Sequence, residues 1–210
     1  MYIIDRSVRF ARGALLSFGP EFLKKRVWDK EYRNNKWHFA DNTVGDCVYA
    51  HLERFARGGA ILDLGCGSGN TATELAEGCY KTYTGVDISE EALAMAKRRS
   101  IDCGRGQKNS FVRSDFLKFS PTEQYDVILF RESMYHIPIN TIPVILDKFA
   151  RHLKADGVFI VRLFAGSRDN KEIKPRPKAM LDFVSNNYDV IEHKQYDENG
   201  VPTVIVFRGR

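Results

Sequence analysis

The sequence predicts an α/β fold, a doubly wound and mostly parallel sheet with helices on both faces. Three observations carry that expectation. Short apolar runs of strand length, the first at residues 61–64, alternate with stretches whose apolar residues recur at steps of three and four. The run YDVILF at residues 125–130 is apolar on both faces, as a central parallel strand should be. Gly65, Gly67 and Gly69 follow the first run at alternate positions, and a helical pattern with Ala72, Leu75, Ala76 and Cys79 follows them.

The 210 residues suit one domain with a short addition. The expected division is a helical and aromatic lid segment over residues 1–40 and a ligand-binding domain over residues 41–210. Hydrophobic residues make up 43% and charged residues 28%, which favours a filled core over disorder. No apolar run approaches the roughly 18 residues that span a membrane. The first residues carry arginines among their apolar positions and no small-residue cleavage pattern, so a secretory leader is not expected and the expected compartment is the cytoplasm. The four cysteines form no C-x-x-C and have no histidine cluster beside them; they read as reduced thiols, and no metal is expected. The net charge of +5 leaves three readings open: nucleic acid, an acidic small molecule, or solubility alone.

The glycine turn points to a nucleoside. Glycines let a ligand approach the backbone closely, and the helix that follows directs free N–H groups at the turn. Asp87, at the tip of the second strand, lies about 20 residues beyond, where an acidic residue receives ribose hydroxyls. The spacing here is G-x-G-x-G, and Asn70 stands where a dinucleotide site would carry its third glycine. Asp63 adds a negative charge that would repel a pyrophosphate and tolerate a cation.

LDLGCGSG, with VDIS after the second strand, resembles the first two motifs of the class I S-adenosylmethionine-dependent methyltransferases of the small-molecule type. The resemblance runs from about residue 28 to residue 210. It implies a Rossmann-like sheet of five parallel strands closed by a C-terminal antiparallel hairpin, and S-adenosyl-L-methionine as cofactor. Cofactor contacts fall to Asp63, Gly65, Cys66, Gly67, Gly69, Asn70, Asp87, Ile88, Ser114, Asp115, Phe116 and Arg131. Asp115 matches the position that accepts the adenine amino group, with Phe116 beside it to cover the ring; the alternative is an aspartate that caps its own turn.

The other elements follow in chain order. Val8, Ala11, Leu15 and Leu16 lie at helical spacing, and Pro20 can open a second helix. WDKEYRNNKWHF, at residues 28–39, has no clear period and resembles the segment that folds over the pocket in small methyltransferases. Tyr32, Trp37 and His38 are its expected substrate residues; an aromatic staple holding the N-terminal segment is the other reading. Asp41 or Asn42 is the expected cap of a helix whose apolar face is Val44, Cys47, Val48, His51, Leu52 and Phe55. His51 reads as packed rather than catalytic. Ser89 caps the helix after Asp87, and Lys97, Arg98 and Arg99 read as its solvated end. Residues 140–153 form the next helix, ended by Ala155, Asp156 and Gly157 ahead of a strand at 158–164. KEIKPRPK at 171–178 reads as a basic loop, or as a wall for an acidic substrate. Glu198, Asn199 and Gly200 join the final two strands.

Arg131, Glu132, Ser133, Met134, Tyr135 and His136 follow the fourth strand, where open α/β sheets hold ligands. The segment lacks the N/D-P-P-Y/F signature of base N-methylases, and ESMYHI resembles the E-x-L-x-H-I of small-molecule members. His136 is the expected base for a hydroxyl acceptor, with Glu132 and Tyr135 as second choices; a packed histidine is the alternative. The expected reaction is methyl transfer to an O, N or S atom of a small molecule by a monomer or homodimer. An RNA-directed methyltransferase and a non-catalytic cofactor-binding module remain as alternatives, and the absent third glycine argues against a nicotinamide dehydrogenase.

Overall fold

The computed structural model describes residues 6–37, 43–166, 174–197 and 201–209, the side chains of residues 6–10 and of His136 excepted. His38, Asp41, Asn42, residues 171–173 and the expected turn at 198–200 lie outside the described residues, as does the side chain of His136.

Five strands run parallel: β1 (Gly59–Leu64), β2 (Tyr80–Asp87), β3 (Asn109–Arg113), β4 (Tyr125–Arg131) and β5 (Leu153–Phe164). β6 (Asp189–Gln195) and β7 (Pro202–Arg208) add to β5 as an antiparallel pair, giving the order β3-β2-β1-β4-β5-β7-β6. The fold class is the one expected. The direction of winding reverses between β1 and β4, so a crevice opens beyond their carboxyl ends.

Alternation along the central strands divides the core into two layers. Leu62 and Phe130 pack on one face with Phe149 and Phe159, while Ile61, Val127 and Leu129 pack on the other with Leu52 and Tyr83. α6 (Ile142–Ala150) and α7 (Pro175–Asn187) cover the first face, and α3 (Val48–Ala56) covers the second. α1 (Arg6–Phe18) and α2 (Glu21–Arg33) precede the sheet, and α2 docks on α5 (Glu90–Asp102). Among the described residues, no helix is long and apolar enough to cross a membrane.

Four local expectations are corrected. The helix after the glycine turn, α4, spans only Asn70–Glu74, because Leu75 is extended. Its end is held from outside: Arg105 donates to the carbonyls of Ala72 and Leu75 at 3.0 and 2.7 Å, and Glu53 accepts the Ala76 N–H. α3 starts at Val48 rather than before Val44, which is 76% exposed; Asp46 takes the Val48 N–H at 3.0 Å. β5 begins at Leu153, so Ala155, Asp156 and Gly157 lie within a strand rather than ahead of it. Pro175 opens α7, so the second half of the basic segment is the first turn of a helix.

His51 is packed, as expected, with Nδ1 2.8 Å from Glu192 and Nε2 2.8 Å from the Tyr196 hydroxyl. Arg99, expected in solvent, instead donates to Ser68 Oγ at 3.1 Å and to Asn70 Oδ1, bracing the glycine turn from α5.

Candidate active site

A cavity of about 1080 Å³ opens beyond β1, β2 and β4. Its floor is the glycine turn. The N–H groups of Gly65 and Cys66 both donate to the Val86 carbonyl, and Gly65, Gly67 and Gly69 all have positive φ. A Cβ on Gly67 would stand 2.6 Å from the Tyr32 hydroxyl, so the tip of α2 lies directly over the turn.

Asp87 pins this turn. Its Oδ2 accepts the Gly67 N–H and its Oδ1 accepts the Ser89 N–H, each at 2.9 Å. Burial raises its carboxyl above the usual aspartate value, the backbone donors acting against the rise. Asp63 lies beneath, fully buried. Tyr83 donates to its Oδ2 at 2.5 Å, and burial pushes its carboxyl up to about 6. Among the described residues, three buried polar atoms have no partner: Asp63 Oδ1, Arg131 Nε and Ser133 Oγ. All three belong to segments at the carboxyl ends of β1 and β4, so unmet hydrogen-bonding capacity is concentrated at the crevice.

Asp115 caps its own turn through Oδ1, which accepts the Leu117 N–H at 3.0 Å, and also faces the cavity. Lys24 of α2 reaches its Oδ2 at 3.2 Å. α2 is further tied down by Asp29, which accepts the Ser89 hydroxyl at 2.8 Å, and by Lys25, whose ammonium lies 2.8 Å from Glu90 of α5. Trp37 lines the cavity while donating to Glu31, and its ring lies 5.6 Å from that of Trp28, so the residue stapled onto α2 also reaches the cavity wall.

Among the expected cofactor residues, Gly65, Cys66, Gly67, Asn70, Asp87, Ile88, Asp115, Phe116 and Arg131 line the cavity. Asp63, Gly69 and Ser114 stand behind the wall, Gly69 against Ala96 and Ser114 bonded to the neighbouring Asp115 carbonyl. Tyr32, Glu132 and Tyr135 also line it. Cys66 is buried and its thiol is pushed well up by burial, which makes it a wall and not a nucleophile.

Sequence reasoning missed Lys24, Asp46 and Arg162, which also line the cavity. Asp46 contacts Arg131 at 2.8 Å and Arg162 at 3.0 Å, and Arg162 also pairs with Glu132. Burial works against the charge on Asp46, yet the two guanidiniums hold its carboxyl below the usual value. The local sequence gave no signal for this cluster, which joins residues 116 positions apart.

Residues 61–157 match the family described as methyltransferase domain. A sterol 24-C-methyltransferase of Gibberella zeae is 30% identical over 153 residues, 67% of this chain and 40% of that protein. A ubiquinone biosynthesis O-methyltransferase of Pseudomonas fluorescens is 27% identical over 118 residues, 56% of this chain and 50% of that protein. The chain thus spans half or less of the length of these curated relatives. Among solved structures, the N-methyltransferase NodS from Bradyrhizobium japonicum, in complex with S-adenosyl-L-homocysteine, superposes with a TM-score of 0.68. It is 18% identical, and the match covers 88% of this chain and 97% of that one, a likeness of fold.

Proposed function

We propose that this chain, whose residues 61–157 match the methyltransferase-domain family, is a class I enzyme that moves a methyl group from S-adenosyl-L-methionine to a small-molecule acceptor. The observation that carries the reading is the Asp87-pinned glycine turn set above the buried Asp63. A side-chain-free backbone at Gly67 admits close approach, Asp87 faces the cavity with lone pairs to spare for ribose hydroxyls, and the negative floor favours a cation over a pyrophosphate. Asp115 is the residue we assign to the adenine amino group, with Phe116 against the ring.

When bound, the cofactor supplies a methyl carbon made electrophilic by its sulfonium. The protein then has to orient the acceptor, exclude water and receive a proton. α2 closes the cavity from above through Lys24, Asp29 and Tyr32. Glu132 and Tyr135 stand at the acceptor end. Tyr135 donates its hydroxyl to the Phe164 carbonyl at 2.9 Å, and burial raises it far above the range in which it could act as a base. That leaves Glu132 as the described side chain suited to proton removal. With four free thiols, the cytoplasm is the compartment this reading assigns.

Calorimetry with S-adenosylhomocysteine tests the cofactor half, with NAD as the control. Micromolar or tighter binding of the first and none of the second is the expected result. Mass spectrometry of small-molecule extracts incubated with protein and S-adenosylmethionine tests turnover, through the appearance of products heavier by one methyl group. No such product, despite cofactor binding, would leave a binding module.

A further inference from the structure

At the acceptor end, four charged groups meet from three places in the chain: Asp46 before α3, Arg131 and Glu132 at the end of β4, and Arg162 on β5. Arg162 Nε donates to Asp46 Oδ1 at 3.2 Å, its Nη2 lies 3.0 Å from Asp46 Oδ2, and its Nη1 pairs with Glu132. Arg131 Nη2 adds a further contact to Asp46 Oδ2 at 2.8 Å. Both guanidiniums are therefore engaged by carboxylates. The side chains of Asp46 and Arg162 are 6% exposed and that of Arg131 15%, whereas that of Glu132 is 34% exposed. Glu132 is the group that this cluster presents to a ligand. Its backbone is held at φ 55, a left-handed conformation that glutamate adopts only when its surroundings enforce it, and such strain collects at working sites.

We propose that the acceptor is a hydroxyl compound with an apolar or aromatic body, and that Glu132 takes the hydroxyl proton. This deepens the methyltransferase reading and rests on it. A carboxylate acceptor would stand against the Glu132 carboxylate, and each guanidinium already bonds a carboxylate of its own, Arg131 that of Asp46 and Arg162 those of Asp46 and Glu132. An amine reacts as its neutral form with its lone pair already free, whereas a hydroxyl needs a base to take its proton, and Glu132 is placed to be that base. A hydroxyl instead develops negative charge as its proton leaves, which the guanidiniums stabilise. The body of the acceptor follows from the wall: Trp28, Trp37, Val44 and Phe164 line the cavity, and Val44 and Phe164 are exposed at 76% and 43%.

The step balances within these groups. The acceptor oxygen gives its proton to Glu132 and forms a bond to the methyl carbon; the carbon–sulfur bond breaks and its electron pair stays on sulfur. Glu132 then releases the proton to water. The charged and titratable groups around Glu132 are Arg162 from β5, Arg131 beside it, Tyr135 after it, and Asp46 through Arg162. Burial raises the Glu132 carboxyl above its ordinary value in spite of Arg162, which suits a base. Asp46 and Arg162 are positioning residues in this scheme.

A matched series separates the nucleophile from the body: 2-naphthol, 2-naphthoic acid and 2-naphthylmethylamine, titrated calorimetrically into protein saturated with S-adenosylhomocysteine. The naphthol is expected to bind roughly tenfold more tightly than either of the others, a difference of one hydrogen-bonded contact. Equal or tighter binding of the acid or the amine overturns the proposal, and so does failure of all three to bind. Because this preference is read on the unaltered protein, it does not depend on a variant folding. Glu132→Gln is then expected to abolish the preference for the naphthol while S-adenosylhomocysteine still binds within about twofold, and to reduce methylation of the naphthol by roughly a hundredfold. A variant that keeps the preference and the rate overturns the role of Glu132. Failure of S-adenosylhomocysteine to bind the unaltered protein would instead overturn the cofactor reading, and this one with it.

Discussion

Lys24 sets its ammonium 3.2 Å from Asp115 Oδ2, joining α2 to the turn after β3 across 91 positions of sequence. Both residues are more than nine-tenths buried. Such a pair gains little over an apolar contact of equal size, yet losing one partner strands the other's charge. Lys24→Met is therefore expected to cost about 3 kcal/mol in denaturant unfolding. The double variant Lys24→Met/Asp115→Asn should cost clearly less than the sum of the two single changes. Strict additivity would mean that the two side chains do not interact.

Asp87 serves the turn and the ligand together, and the two duties can be separated. Asp87→Asn keeps an acceptor for one backbone N–H and loses the charge. Affinity for S-adenosylhomocysteine should fall by about 1–3 kcal/mol through weakened ribose contacts. Asp87→Ala should lose as much and also release the Gly67 and Ser89 N–H groups, lowering stability by a further 1 kcal/mol or so. Calorimetry and thermal unfolding read the two quantities separately; unchanged affinity in Asp87→Asn would remove the ribose assignment.

The glycine turn and the parallel strands were legible because they are local: spacing, apolar runs and a carboxylate at a strand tip can be read in windows of a few residues. The packed state of His51 was legible for the same reason, since the apolar face of α3 surrounds it in sequence. The acceptor end was not. Asp46 meets Arg162 only because β5 lies beside β4, and no periodicity in either segment states that neighbour relation. Residues 28–33 show no clear period in sequence yet complete α2, and only the docking of that helix on α5 and on the turn after β3 brings Asp29 and Lys24 inward. The end of α4 was misplaced because Arg105 and Glu53, remote in sequence, satisfy the backbone groups that a longer helix would have paired.

Asp63 makes stability depend on pH in a direction opposite to that of a salt-bridged aspartate. Its folded value of about 6 stands above the unfolded value near 3.9, so between those values the folded protein binds the extra proton. Its contribution is full below pH ~4 and is lost as the pH rises through about 6, with a cost of about 3 kcal/mol at neutral pH. Asp63→Asn keeps an acceptor for the Tyr83 hydroxyl and removes the charge. It should be more stable than the parent at pH 7.5 by up to that amount and nearly equal to it at pH 4. The same change should weaken binding of the sulfonium cofactor more than that of neutral S-adenosylhomocysteine. An equal loss for both ligands would place the charge of Asp63 out of reach of the sulfur.

Gly67 meets two constraints, and a side chain there can offend either. Its φ of 54° already strains any other residue, by about 1 kcal/mol, and a Cβ would come 2.6 Å from the Tyr32 hydroxyl. The hydroxyl is the far end of a side chain and can move, so the steric cost on the lid side is small. The cost on the ligand side is fixed, because the same Cβ projects over the turn where a nucleoside must lie. Gly67→Ala should thus lower stability by only about 1–2 kcal/mol and reduce affinity for S-adenosylhomocysteine at least tenfold. Tyr32→Ala in the same chain removes the hydroxyl that a Cβ at Gly67 would meet, so affinity should stay low in the double variant. Recovery of binding in that double variant would mean that the lid, and not the ligand, is what Gly67 makes room for.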